Sequence, residues 1–125
     1  MKTIISTDKA PAAIGPYSQA IEVNGTIFTS GVIPIVPAPG EIVEGGIEEQ
    51  ADQAIGNLVA LLEAAGTNAK NVIKTTVFIK NMDDFGKVNA IYSKYFVDEC
   101  PARSCVEVAR LPKDVLIEIE AIATK

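Results

Sequence analysis

Histidine is absent from the 125 residues. Without an imidazole the chain cannot build, from its own residues, a Ser-His-Asp or Cys-His nucleophile, a histidine-ligated zinc site or a phosphohistidine. Any proton carrier must be Glu, Asp, Lys, Tyr or Cys, or a water held by one of them. Cysteine is scarce too. Cys100 and Cys105 fit neither the staples of a small secreted fold nor a Cys-x-x-Cys redox motif, so two free thiols are expected. No apolar run approaches the roughly 20 residues that span a bilayer. The opening Met1-Lys-Thr-Ile-Ile-Ser-Thr-Asp8 lacks the continuous apolar segment and cleavage site of an export signal, so a cytoplasmic protein away from membranes is expected. No cluster of Lys and Arg is visible either. With 16 acidic against 11 basic residues the net charge is −5, a field that repels phosphate backbones and makes nucleic acid a poor partner.

What is present is apolar material: 48% hydrophobic residues and a mean hydropathy of +0.24. In a chain of this length that suits one core and one domain, residues 1–125. Thr3 to Ser6 reads as a short first strand. Ser18 to Val23 alternates, and Asn24-Gly25 then signals a two-residue hairpin into Thr26 to Pro34. Pro34 to Gly46, with Pro37, Pro39, Gly40 and Gly45 inside it, reads as an irregular surface loop. From Ile47 the period becomes helical, with Ala51, Ala54, Ile55, Leu58, Leu61, Leu62 and Ala65 on one stripe and Gly66 as the stop. Asn71 to Lys80 is a β-branched run suited to a central strand. Asn81, Asp83 and Asp84 then start a second helix with Phe85, Val88, Ile91, Tyr92, Tyr95 and Phe96 along one side.

The order implies an α+β layer with both helices on one sheet face, and a right-handed parallel crossover from the Thr26 strand through the first helix to the Asn71 strand. Near the C-terminus, Ala102 to Ala109 and Val115 to Ala123 flank a proline-containing break and read as a hairpin. Pairing Ala109 with Asp114 sets Cys105 opposite Glu118 and Arg103 opposite Glu120, so one face is apolar and the other gathers a guanidinium, a thiol and carboxylates. That polar face is either a solvated ladder of ion pairs or a reactive site. The face also exposes Leu116 and Ile122, so subunits are expected to cover it. Elsewhere the alternatives are similar. The Gly15-Pro16 bend either aims Tyr17 outward or closes a core edge with it; Ser30-Gly31 marks either close approach to a ligand or a bulge. Asn89 is expected to bond the helix backbone, and Tyr92 and Tyr95 to sit in the core.

Five blocks carry a resemblance: Ala10-Pro-Ala-Ala-Ile-Gly-Pro-Tyr17-Ser, Thr29-Ser-Gly-Val-Ile-Pro34, Val72-Ile-Lys-Thr-Thr-Val-Phe-Ile-Lys80, Phe85-Gly-Lys-Val-Asn89 and Pro101-Ala-Arg-Ser-Cys-Val-Glu-Val-Ala-Arg-Leu-Pro-Lys-Asp114. They resemble the RidA/YjgF reactive intermediate deaminases over essentially the whole chain. The resemblance implies a chorismate-mutase-like α+β fold, a six-stranded mixed sheet with two helices on one face. It further implies a homotrimer with clefts between subunits and hydrolysis of 2-iminobutanoate and 2-iminopropanoate to 2-oxoacids and ammonia, with neither cofactor nor metal. Carried over by position, Arg103 holds the substrate carboxylate, for which a planar fork suits better than lysine. Glu118 activates water, and Cys105 completes the catalytic group as a wall thiol open to oxidation. Tyr17, Ser30 and Gly31 bind substrate, Asn89 supports the site, and Glu107 and Glu120 remain surface charges. Val32, Cys100 and Leu116 depart from the commonest family pattern. The competing expectations are a 2-oxoacid-binding module without turnover, and the translation-inhibiting ribonuclease or chaperone role of some relatives.

Overall fold

The computed structural model describes residues 1–125. Strands β1 (Thr3–Ile5), β2 (Ala20–Val23) and β3 (Thr26–Thr29) form an antiparallel meander. Asn24 and Gly25 both take positive φ, 50° and 80°, as the two-residue hairpin turn requires. Helix α1 (Ile47–Ala64) follows. Its first turn is closed by Glu49, whose carboxylate accepts from the Gly46 N–H at 2.8 Å, and it ends where Gly66 turns to φ +89°. One stripe of α1, including Ala51, Ala54, Ile55, Leu58 and Leu62, is fully buried. Each such Leu or Ile contributes about 1.5–3 kcal/mol. Neither helix is long and apolar enough to cross a membrane.

The segment from Pro34 to Gly46 is more ordered than the sequence suggests. Two-residue strands β4 (Ile35–Val36) and β5 (Glu41–Ile42) pair antiparallel, with Ile35 opposite Ile42. Ile35 is buried, and Asn57 of α1 donates to the Ile33 and Ile35 carbonyls at 3.2 and 2.7 Å. A helix side chain thus replaces the missing ladder and makes a ribbon of what reads as loop.

The C-terminal half corrects the expected hairpin. Strand β6 (Val72–Ile79) is followed by α2 (Phe85–Tyr95), which Asn81 leads in by capping a 3₁₀ turn, and then by β7 (Ala102–Glu107) and β8 (Ile117–Thr124). The six-stranded sheet runs β1-β2-β3-β8-β6-β7. β7 pairs parallel to β6, and β8 pairs antiparallel to β6 on its other side, so β7 and β8 never touch. The reason lies in α2: an intervening helix supplies the crossover that parallel neighbours need. The stretch read as a tight turn instead carries the chain over the end of β6. There Val108 N–H donates to Ile79 O and Lys80 N–H to Leu116 O, at 2.9 and 3.0 Å, while Leu111 and Val115 are buried. The crossover from β3 to β6 is parallel as expected, but β8 lies between the two strands.

Both helices cover the sheet face that carries Ile27, Val77, Ile79, Ile117 and Ile119, the centre of a 23-residue core. The opposite face is uncovered. Ile4, Phe28 and Val106 there remain 61%, 45% and 41% exposed, an uncovered apolar surface.

Candidate active site

The corrected topology divides the predicted site into two halves. In register with Thr75, Val77 and Ile79 of β6 stand Arg103, Cys105 and Glu107, so these three project toward the helix side. Glu118 and Glu120 pair with Phe78 and Thr76 and project to the open side. Arg103 and Glu118 therefore lie on opposite faces of one sheet, not side by side as the hairpin implied.

The first half is an anchored guanidinium. Arg103 lies over two rings of α2, 5.3 Å from the Phe85 centroid and 4.8 Å from that of Tyr92, and its Nη1 donates to Asn89 Oδ1 at 2.7 Å. Asn89 does not bond the helix backbone, as expected from sequence, but holds the arginine. Phe85, Asn89 and Tyr92 follow one another at steps of four and three, so α2 turns all three to the same side. Tyr92 is in turn fixed by a 2.7 Å hydrogen bond to the Thr75 hydroxyl. A groove of about 450 Å³ opens beside the guanidinium, lined also by Ser93, Phe96, Cys100 and Pro101. The cation–π role of Phe85 and Tyr92 is invisible to a reading that assigns both to the core. Their spacing to Asn89 is the signal that could have found it.

Cys105, on the same face as Arg103, packs against the hydrophobic core. Burial pushes its thiol up, and the Arg103 charge only partly opposes that. At neutral pH it is a thiol, a poor nucleophile. Glu107 keeps its structural reading: its carboxylate accepts from the Met82 N–H at 2.7 Å.

The second half is built around Gly31. Val32 and Ile119 exchange backbone hydrogen bonds of 2.7 and 3.0 Å, which draws the chain after β3 along β8 and lays Gly31 against Glu118. A Cβ on Gly31 would sit 2.7 Å from Glu118 Cδ and 3.0 Å from Cγ, with Oε2 nearer still. Close approach, not a bulge, is what this glycine permits. Glu118 is half-buried, and the two ion pairs of the chain, Arg110–Asp114 and Lys125–Glu22, leave it without a cation. Burial first, and then the neighbouring charge of Glu120, push its carboxyl above the ordinary glutamate range. Beside it Ser30 donates its hydroxyl to Ser18 O at 2.7 Å and its N–H to Gln19 O at 2.9 Å. Ser30 thus pins the loop that carries Tyr17, whose ring is half-exposed. No three His, Cys, Asp or Glu side chains are grouped to hold a metal ion.

Each half has one charge type and a wall. The first can clamp a carboxylate through the N–H groups that Asn89 leaves free; the second can relay a proton through a carboxyl poised nearer neutrality than usual.

Comparison with known proteins places the chain in a family and its fold in a class. The family model described as Endoribonuclease L-PSP matches residues 7–125. A RutC family protein of Pyrococcus abyssi is 56% identical over 124 residues, 99% of this chain and 98% of that one. The 2-iminobutanoate/2-iminopropanoate deaminase of Escherichia coli is 52% identical over 128 residues, 100% of this chain and 99% of that one. A crystal structure of a Rid-family protein from Yersinia pestis superposes with a TM-score of 0.97 at 50% identity, covering 100% of both chains. The two helices on a six-stranded mixed sheet are thus the chorismate-mutase-like fold that the resemblance implied.

Proposed function

The chain belongs to the Endoribonuclease L-PSP family, and from that membership we propose that residues 1–125 act as one deaminase domain. It hydrolyses 2-iminobutanoate and 2-iminopropanoate to 2-oxoacids and ammonia in the cytoplasm, with no metal or cofactor. The relative of that name in Escherichia coli supports the reaction class. The observation that carries the reading is the pair of half-sites: a guanidinium held ready by Asn89 and two rings, and a carboxyl raised by burial against Gly31. Because they face opposite ways, the working site is an intersubunit cleft of a homotrimer, with Arg103 from one subunit and Glu118, Tyr17, Ser30 and Gly31 from the next.

In that cleft Arg103 takes the substrate carboxylate. The protonated imine carbon is already electrophilic, so a water attacks it as Glu118 accepts the water's proton. The new C–O bond gives a 2-amino-2-hydroxy acid. Glu118 returns that proton to nitrogen; as the C–N bond breaks and ammonia leaves, the Glu118 carboxylate takes the hydroxyl proton so that the carbonyl forms, and it then passes this proton to the ammonia, which departs as ammonium. A carboxyl that accepts and returns one proton works best with a pKa lifted toward the working pH. Tyr17 shields the cleft from bulk water, and the neutral Cys105 thiol forms part of its wall.

Two assays test the reading. Added to a threonine dehydratase reaction, the protein should speed 2-oxobutanoate release, and Arg103→Ala should abolish this while the oligomer persists; an unchanged rate in the variant sinks the role of Arg103. Tight 2-oxobutanoate binding without any acceleration would instead make this a 2-oxoacid-binding module. The cleft is tested by mixing two inactive variants, Arg103→Ala and Glu118→Gln, through joint refolding. If each cleft draws the two residues from different subunits, random assembly makes about a quarter of the clefts intact, half the arginine donors times half the glutamate donors. If both came from one subunit, the mixture would stay inactive. The family's description favours RNA cleavage as a second reading. A charge of −5 and the missing imidazole oppose it, and only RNA binding with the steep salt dependence of phosphate contacts would restore it.

A further inference from the structure

Beyond the wall that bounds the Arg103 groove lies a second groove, of about 300 Å³. Phe96 and Pro101 belong to both linings, so the two spaces adjoin across the end of α2 and the approach to β7. Neither Arg103 nor Glu118 lines the second one, and the proposed reaction makes no use of it. Its charged side chains come from two segments: Lys70 from the 3₁₀ turn that leads into β6, and Asp98 and Glu99 from the turn between α2 and β7.

Exposed charges usually mean only a solvated surface. Three observations set these apart. First, charges of opposite sign border one space without pairing across it, because both ion pairs of the chain lie elsewhere. Second, the turn that carries the acids is held in shape. Glu99 takes φ +48°, a left-handed conformation uncommon outside glycine and asparagine, and the Cys100 thiol donates to Phe96 O at 3.4 Å, fastening the turn to the end of α2. Third, the rest of the lining offers apolar surface. Phe96 is buried and Pro101 partly so, Val97 is left 69% exposed, and the Tyr95 hydroxyl is already committed to Asp52 Oδ1 at 2.7 Å.

The groove therefore has two poles and an apolar floor. The C-terminal end of α2, the negative pole of that helix, reinforces Asp98 and Glu99 and favours an ammonium there. Lys70, a point charge on a flexible four-carbon stem, can close onto a carboxylate. We propose that this groove is a second small-molecule site, which takes a free α-amino acid with an aliphatic side chain. Its carboxylate meets Lys70, its ammonium meets Asp98 and Glu99, and its side chain lies over Val97 and Phe96. An ion of one sign would leave one pole unanswered, and a ligand without an apolar arm would leave Val97 in water. Exposed ionic contacts are each weak, so a Kd on the order of 1 mM is expected, rising as salt screens the charges.

The test is a titration of the isotope-labelled protein with L-leucine, followed by amide chemical shifts. Saturable shifts should centre on Lys70 and on Val97 to Glu99. Leucinamide lacks the carboxylate, 4-methylpentanoate the ammonium and glycine the side chain; each should bind at least about fivefold more weakly. Lys70→Gln, and Asp98→Asn combined with Glu99→Gln, should weaken leucine by about the same factor with Tm unchanged, since all three side chains are exposed. Arg103→Ala should leave leucine affinity intact. Leucine that does not saturate by about 20 mM, or analogues and variants that match leucine and the wild type, overturn the proposal. Shifts that gather on the Arg103 groove and vanish in Arg103→Ala overturn it too, by placing the amino acid in the reaction cleft instead. Because no turnover is read, failure here leaves the deaminase reading untouched, and failure of that reading leaves this site standing.

Discussion

Replacing Gly31 by alanine separates position from stability. Gly31 is not among the residues with positive φ, so alanine adopts its backbone without strain, and the added methyl acts only by volume. That methyl would stand 2.7 Å from Glu118 Cδ, whereas carbon atoms rest at about 3.5–4.0 Å. The carboxylate must therefore move by about 1 Å. Its stem is flexible, so the move requires at most an off-rotamer angle of about 0.5–1.5 kcal/mol, a loss of about 4 °C in Tm per kcal/mol for a chain of this size. Catalysis is far more sensitive: a displacement of about 1 Å can lower the rate about 100-fold, near 2.7 kcal/mol of transition-state energy. The assay pairs kcat/KM on 2-iminobutanoate with a thermal melt. Full activity in Gly31→Ala, or activity lost only in step with a collapsed Tm, would refute the claim that this glycine exists to admit the Glu118 carboxylate.

Two further outcomes follow from the same geometry. Tyr92→Phe strands the buried Thr75 hydroxyl, so Tm should fall by the equivalent of about 1–3 kcal/mol, while the ring and its contact with Arg103 persist and KM changes little; a raised KM with unchanged Tm would contradict this. Glu118→Gln should abolish turnover yet raise stability at neutral pH. A carboxyl whose folded pKa is raised above its unfolded value binds its proton more tightly in the fold, so wild-type stability is lost as pH rises through that window and recovered below the unfolded pKa. Melts of both proteins across pH 4–8 should converge on acidification, and a gap that widens instead would show the shift to have the opposite sign.

Local signals carried much of the fold. The Asn24-Gly25 turn, the α1 stripe with its Gly66 stop and the β-branched β6 each follow from residues close in sequence, and each stands where periodicity places it. The hairpin failed for the complementary reason. Alternation correctly groups Arg103 with Cys105 and Glu107, and Glu118 with Glu120, because the side-chain period of a strand is two. It says nothing of which group faces the helices. That phase is fixed by β6, whose Thr75 pairs with Arg103 and whose Phe78 pairs with Glu118, 28 and 40 residues apart in sequence, since α2 returns the chain parallel to it. A short proline break between two strand-like runs looks the same whether it turns back on its neighbour or steps over a third strand. The Pro34–Gly46 ribbon was hidden likewise, its order coming from Asn57 on a distant helix.

The corrected phase strengthens the case for a shared cleft. Had Arg103 and Glu118 stood on one face, a single subunit could have performed the whole reaction and the uncovered apolar face would have needed a separate explanation. Instead the guanidinium sits on β7, which pairs only with β6 and so forms an edge of the sheet, and the carboxyl sits opposite Phe78 on the open face that also carries Val106 and, farther along, Phe28. A copy of the chain that covers that face with its edge satisfies both demands at once: it removes exposed apolar surface from water and brings a preset cation toward a carboxyl that lacks one. In the assembly, burial raises the Glu118 carboxyl and the approaching Arg103 charge lowers it, so the contact sets its proton affinity by the balance of the two. On the proposed trimer, then, the contact that makes the oligomer stable is the same one that tunes the proton carrier, so a substitution on the open face that breaks the oligomer should abolish activity as well.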